Sequence, residues 1–209
     1  MAPQRISMQR QPFTKAMMDT QPTTRGPSLQ RHRSHSWRPG GAMGSRALAR
    51  NQGWQGVALW VGLTIASAAV GMLASTQADT FYAALQKPAW APPAWVFGPV
   101  WTGLYALMAC AAVMVHWRLS SRPQGVAGLR LYALALLPNA LWSWTFFHWH
   151  LGLASLVVIA VLWLLLLATL LAFWRVRRAS AGLMVPVTLW VSFAAVLNLV
   201  LLRMNPGVL

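Results

Sequence analysis

From about residue 54 the chain reads as long apolar runs separated by short polar breaks. The runs cover about 54–75, 97–117, 128–147, 152–174 and 183–203. Each is close to the roughly 20 residues that a helix needs to cross a bilayer at about 1.5 Å per residue. Uninterrupted stretches such as LWLLLLATLL (162–171) lack the two-residue alternation of a barrel strand. Lipid leaves a backbone only the helix and the closed barrel, so the pattern predicts an all-α membrane protein, a bundle of five transmembrane helices. Upstream the pattern is different. Residues 1–52 are rich in Gln, Ser, Pro and Arg and bury too little apolar surface to offset their ordering entropy, which predicts a disordered basic extension, with Met43 as an alternative start. The domain expected to fold is 53–209.

Composition supports the same reading. The chain is 57% hydrophobic and 9% charged, against about a quarter charged in an ordinary soluble domain. The charge is lopsided, with seventeen Lys and Arg against Asp19 and Asp79 and a net +15. The basic residues sit in the extension and in the polar breaks, as orienting charges do, so no nucleic-acid partner is expected. Arg118, Arg122 and Arg130 border the second break and Arg175, Arg177 and Arg178 fill the fourth, whereas the first holds only Lys87 and Asp79. Because Lys and Arg are retained on the cytoplasmic side, the N-terminus is predicted inside and the C-terminus outside. Helical spans favour a bacterial cell membrane. Cys110, the one cysteine, lies within an apolar run and reads as a packed thiol.

The first break, about 76–96, contains KPAWAPPAW. Its prolines stop a helix and push their predecessors toward extended geometry. It is therefore a stiff aromatic segment, either an interfacial anchor or a lid. No nucleotide, zincin or nucleophile-elbow motif occurs, and no carboxylate lies within a span, which argues against an ion-coupled pump. His148 and His150, two residues apart, read better as interfacial polar groups than as metal ligands. Gly62, Ala66, Ser67 and Gly71 give the first span close-approach surfaces for internal packing or a dimer.

Tryptophan and a few amides dominate the spans. Phe97, Trp101 and Tyr105 recur at i, i+4 and i+8; Asn139, Trp142, Ser143 and Phe146 at i, i+3, i+4 and i+7; and Trp190, Ala194 and Asn198 form a third stripe. Counted from the predicted outer ends at about 1.5 Å per residue, Trp101 lies roughly 6 Å down, Trp142 and Asn198 roughly 8 Å, Tyr105 and Asn139 roughly 12 Å, and Trp190 roughly 20 Å. An amide in hydrocarbon needs a partner. Asn139 and Asn198 therefore make interhelical hydrogen bonds or line a site for a flat, mostly apolar ligand.

Three blocks, FYAALQKPAWAPPAWVFGPVWTGLYALM, NALWSWTFF and VPVTLWVSFAAVLN, in this order and spacing, resemble the TspO/MBR family, the tryptophan-rich sensory proteins related to the mitochondrial translocator protein or peripheral benzodiazepine receptor. The resemblance spans about 54–205. It implies a pocket under the first loop that binds porphyrins, haem among them, and in many members sterol-like or benzodiazepine-type ligands. It also implies frequent homodimers, a role in tetrapyrrole regulation or stress signalling, and members in outer and organellar membranes as well as cell membranes. Carried over by motif, the ligand-binding residues are Tyr82, Trp101, Tyr105, Asn139, Trp142, Trp190 and Asn198, with no catalytic residue, no metal site and no obligatory cofactor. Two positions depart from the family. Phe81 stands where a Trp is usual, which puts oxidative porphyrin breakdown in doubt, and LNLVLLR (197–203) lacks the Tyr of the animal cholesterol motif. The expected function is a tetrapyrrole-binding sensor or regulator in a bilayer. A porphyrin-degrading enzyme and a facilitated transporter of tetrapyrroles or sterols are the alternatives.

Overall fold

The computed structural model describes the backbone from residue 41 and side chains from residue 53, through to Leu209. The expected disordered extension 1–52 lies outside the described residues over 1–40; over 41–52 only the backbone is described, and it is helical, so α1 begins at Gly41 and not near residue 54. Six helices follow one another: α1 (Gly41–Ala74), α2 (Ala78–Ala84), α3 (Phe97–His116), α4 (Gly125–Ser143), α5 (Gly152–Val176) and α6 (Arg178–Met204). A 3-10 turn, Ala94–Val96, leads into α3, and a π-helical turn, Trp144–His148, extends α4. Five stretches are long and apolar enough to cross a membrane: Gly53–Ala74, Ala94–His116, Gly125–His148, Gly152–Val176 and Arg178–Met204. The expected five-helix membrane bundle is therefore the observed one.

Two further features differ from the sequence expectation. The fifth span begins at Arg178 rather than near 183, because a single extended residue, Arg177 (φ −155°, ψ 114°), turns the chain from α5 to α6. Hydropathy marks where the membrane ends, and Arg, Ala and Ser are compatible with continuing a helix. The second difference is α2, a two-turn helix inside the first break. Asp79 sits in its first turn, where a carboxylate complements the helix dipole. At its other end the Lys87 ammonium donates to the carbonyls of Tyr82, Ala83 and Leu85 at 2.8, 3.0 and 2.9 Å, partners those helix-end carbonyls otherwise lack.

The spans close into a ring in the order α1, α3, α6, α5, α4 and back to α1. Tyr132 of α4 is fully buried between Trp60 of α1 (6.1 Å between rings) and Phe173 of α5 (6.3 Å). The Thr64 hydroxyl donates to the Trp60 carbonyl at 2.7 Å and pairs with the Tyr132 hydroxyl, and Ser67 donates to the Leu136 carbonyl at 2.9 Å. Across the ring Trp163 Nε1 donates to Ser192 Oγ at 2.8 Å, joining α5 to α6. Of the small residues expected to permit close approach, Ser67 and Gly71 face α4, with the place of a Gly71 Cβ 3.3 Å from Ser143 Oγ, while nothing lies within 4 Å of a Gly62 Cβ.

Among the described glycines, Gly56 of α1 lies most tightly against a neighbour, the His116 ring at the end of α3, and a Cβ at residue 56 would overlap that ring. Gly56→Ala is accordingly expected to lower stability in detergent by about 1–3 kcal/mol, and His116→Ala in the same chain to restore most of the loss. An unchanged thermal midpoint in the single variant would show that the His116 ring swings aside at no cost.

Candidate functional site

A cavity of about 680 Å³ lies between α1, α3 and α4 beneath α2. That is within the usual range for small-molecule sites. It exists because small side chains face one another across the gap, Ala68, Ala69 and Gly71 on α1 and Gly98, Ala106 and Ala109 on α3. Of the seven residues carried over by motif, Tyr82, Trp101, Tyr105, Asn139 and Trp142 line it, and Trp190 and Asn198 do not.

The five come from three helices, Tyr82 from α2, Trp101 and Tyr105 from α3, and Asn139 and Trp142 from α4. The Trp101 and Tyr105 rings lie 5.6 Å apart on one face of α3. Trp142 stacks on Phe146 at 5.4 Å with the rings 12° from parallel. Tyr82 reaches down from α2 and packs edge-on against Phe97 at 5.3 Å, while its hydroxyl donates to the Pro92 carbonyl at 3.1 Å. This bond ties α2 to the proline-rich half of the same connection. Burial raises the Tyr82 phenol above its ordinary value, which keeps the donor protonated.

The two asparagines differ in the way that decides their roles. Asn198 Nδ2 donates to Ser155 Oγ at 3.0 Å, and that serine passes its own proton to the Gly152 carbonyl at 2.8 Å. It is an interhelical link between α5 and α6. Asn139 accepts from the Tyr105 hydroxyl at 2.8 Å through Oδ1, but its Nδ2 has no partner, and neither has Trp142 Nε1. Both residues are at least nine-tenths buried. A buried donor left unpaired costs on the order of 1–3 kcal/mol, so two of them on one cavity wall are suited to a ligand with acceptors.

The third stripe sits elsewhere because α6 occupies the far side of the ring from α1. Phe97 and Trp142 border both the large cavity and a void of about 10 Å³ lined by Ala194 and Asn198, and so form a partition between the two. Trp190 packs behind that partition, against Phe97 at 6.1 Å and Phe193 at 5.4 Å. Asn198 has a depth comparable to that of Trp142 yet stays apart from the cavity stripes, since depth says nothing about the direction each stripe faces.

The residues flanking the site act as supports. Phe81 stacks on the His150 ring at 4.0 Å and meets Phe146 edge-on at 6.0 Å, so it seats α2 on the π turn. His150 adopts φ 55°, an uncommon conformation for a residue with a side chain. His148 packs against Trp144 at 4.9 Å, and no group of three potential metal ligands gathers among the described residues. Sequence reasoning missed the α1 wall, of which it named only Gly71, as a close-approach surface, and it missed Asn205. The Asn205 side chain accepts from the Gln86 N–H at 2.8 Å and donates to the Gln86 carbonyl at 2.9 Å and the Leu201 carbonyl at 2.8 Å, clamping the first connection to the end of α6.

Known proteins are similar to this chain in sequence. A profile of the TspO/MBR family matches residues 58–204. The tryptophan-rich protein TspO of Chlorobaculum tepidum is 40% identical over 154 residues, covering 72% of this chain and 96% of its own length. The tryptophan-rich sensory protein of Cereibacter sphaeroides is 39% identical over 142 residues, 66% of this chain and 87% of its own. The human translocator protein is 35% identical over 128 residues, 61% of this chain and 76% of its own. With five apolar spans closed into a ring and a profile match across nearly all of them, the chain is an integral multi-pass membrane protein that belongs to the TspO/MBR family.

Proposed function

We propose that this protein is a sensor or regulator that binds a tetrapyrrole such as a porphyrin or haem, or a related flat apolar molecule, in the cavity between α1, α3 and α4. The observation that carries the reading is the pair of unpartnered buried donors, Asn139 Nδ2 and Trp142 Nε1, on a wall shared with the Trp101 and Tyr105 rings. Aromatic faces stack on a planar ligand and the two N–H groups orient it. Such binding needs no ionisable group within the spans. The name of the Cereibacter sphaeroides relative, a sensory protein, agrees with a binding role. The orienting arginines support an N-terminus on the cytoplasmic side, and the lipid bilayer and a second copy of the chain are the partners expected from the family resemblance.

The test is quenching of intrinsic Trp fluorescence by protoporphyrin IX in detergent. Saturable quenching in the micromolar range is expected, weakened at least several-fold in Trp101→Leu and Asn139→Ala and by less than about twofold in Asn198→Ala, whose side chain points to Ser155. Each lost polar contact of this kind corresponds to about 1 kcal/mol or somewhat more. Unsaturable quenching identical in all four proteins would reduce the signal to partitioning and return the aromatic stripes to packing.

A further inference from the structure

The end of the bundle opposite α2 gathers positive charge without an acid to balance it. There the connection from α3 to α4 closes as a tight turn, the Arg122 N–H donating to the Arg118 carbonyl at 2.7 Å, and it lies against the connection from α5 to α6. A Cβ at Gly125 would stand 2.9 Å from Leu119 of the first and 3.7 Å from Val176 at the edge of the second. Arg118 and Arg122 are thereby brought to the same end as Arg175, Arg177 and Arg178, and all but the half-buried Arg177 are exposed. The only acid after Asp19 is Asp79, which sits on α2 at the other end. Arg175 lies in the last turn of α5, where a cation is favourable. In contrast, α6 starts at Arg178 with no acidic residue in its first turn and no side-chain cap, so the positive end of its dipole adds to the excess.

An apolar surface adjoins these cations. The Arg178 guanidinium lies 5.6 Å from the Trp174 ring, a separation at which an indole face attracts a cation. Trp174 and Leu171 are both exposed and, three residues apart, continue one face of α5 into the span. An indole at a helix end sits at headgroup level. Orienting the chain during insertion needs only charge in the connections; it needs neither two connections packed together nor a guanidinium set over an indole. The chemistry that fits guanidinium forks above an indole and an apolar helix face is a phosphodiester with acyl chains below it. We propose that the two packed connections form a binding site for an anionic phospholipid, its headgroup held by arginines of both connections and its chains lying along α5 from Trp174 to Leu171. The site is distinct from the cavity, whose lining includes no residue of either connection, so the two readings stand or fall separately.

The full chain reconstituted in vesicles of phosphatidylcholine and phosphatidylglycerol gives the test, with one lipid or the other brominated in its acyl chains and quenching of Trp fluorescence as the readout. The quantity read is the affinity for phosphatidylglycerol relative to phosphatidylcholine. The wild type is expected to favour the anionic lipid by about three- to fivefold at low ionic strength, and by less in high salt, which screens exposed charges. Arg122→Gln combined with Arg178→Gln is expected to bring the ratio close to unity, while Arg203→Gln, which removes a charge at the opposite end of α6, leaves it as in the wild type. Quenching by brominated phosphatidylcholine checks that each variant is inserted alike. A wild-type ratio near unity, or the same ratio in the double variant, overturns the site. An equal fall in Arg203→Gln reduces the effect to net charge and overturns it too. Loss of the preference on adding inorganic phosphate, but not chloride at equal ionic strength, would assign the arginines to a soluble anion in place of a lipid.

Discussion

Tyr132→Ala is expected to cause the largest loss of stability of any single substitution considered, about 3–5 kcal/mol, or a fall in thermal midpoint on the order of 10 °C for a domain of this size. The residue is fully buried and is the one ring that touches both Trp60 of α1 and Phe173 of α5. Truncation therefore removes packing between three helices at once. Tyr132→Phe separates the two contributions. It keeps the ring and deletes only the hydroxyl pairing with Thr64, whose own proton is already directed to the Trp60 carbonyl, so a loss of about 0.5–1.5 kcal/mol is expected. Thermal unfolding in detergent measures both. Equal losses in the two variants would mean that the hydroxyl, and not the ring, holds α1 and α4 together.

Asn205→Ala has the second-largest expected effect, and its consequence is local. Three hydrogen bonds disappear, two of them to the backbone of Gln86, for a combined loss of about 2–4 kcal/mol. The connection between α1 and α3 is then held by Tyr82, by the Phe81 stack on His150 and by Trp90 against Phe193. Amide hydrogen exchange across 76–96 is expected to rise in the variant while exchange within the spans stays as in the wild type. Because Tyr82 sits on the loosened element and lines the cavity, weaker protoporphyrin IX binding is expected to accompany the change. Exchange rising evenly over the whole bundle would instead assign Asn205 a global role.

Much of the site was legible because its residues sit at helical spacing on two single helices. Phe97, Trp101 and Tyr105 are one stripe of α3, Asn139, Trp142 and Ser143 are one stripe of α4, and all six line the cavity. What escaped was whatever depends on a partner distant in sequence. Asn205, followed by Pro206 and Gly207, reads as a helix stop, and nothing local announces a bond to a residue 119 positions away. Gly71 reads as packing surface because a small residue allows close approach and empty space alike, and only the facing helix decides which.

The sequence by itself determined the solvent and the spanning helices. Five runs too long and too apolar for water require a bilayer, and a bilayer requires helices, so membrane, number of spans and their approximate bounds follow from hydropathy alone. The tertiary structure alone decided which faces meet. Trp190 and Asn198 have the same helical spacing and chemistry as the cavity residues, yet they fall behind Phe97 and Trp142. The physical reason is that lipid and protein interior are almost equally apolar. Hydrophobic pattern therefore gives a membrane helix little sense of inside and outside, and the rotation of each helix is fixed by the order of the ring and by a few polar contacts such as Asn198 with Ser155.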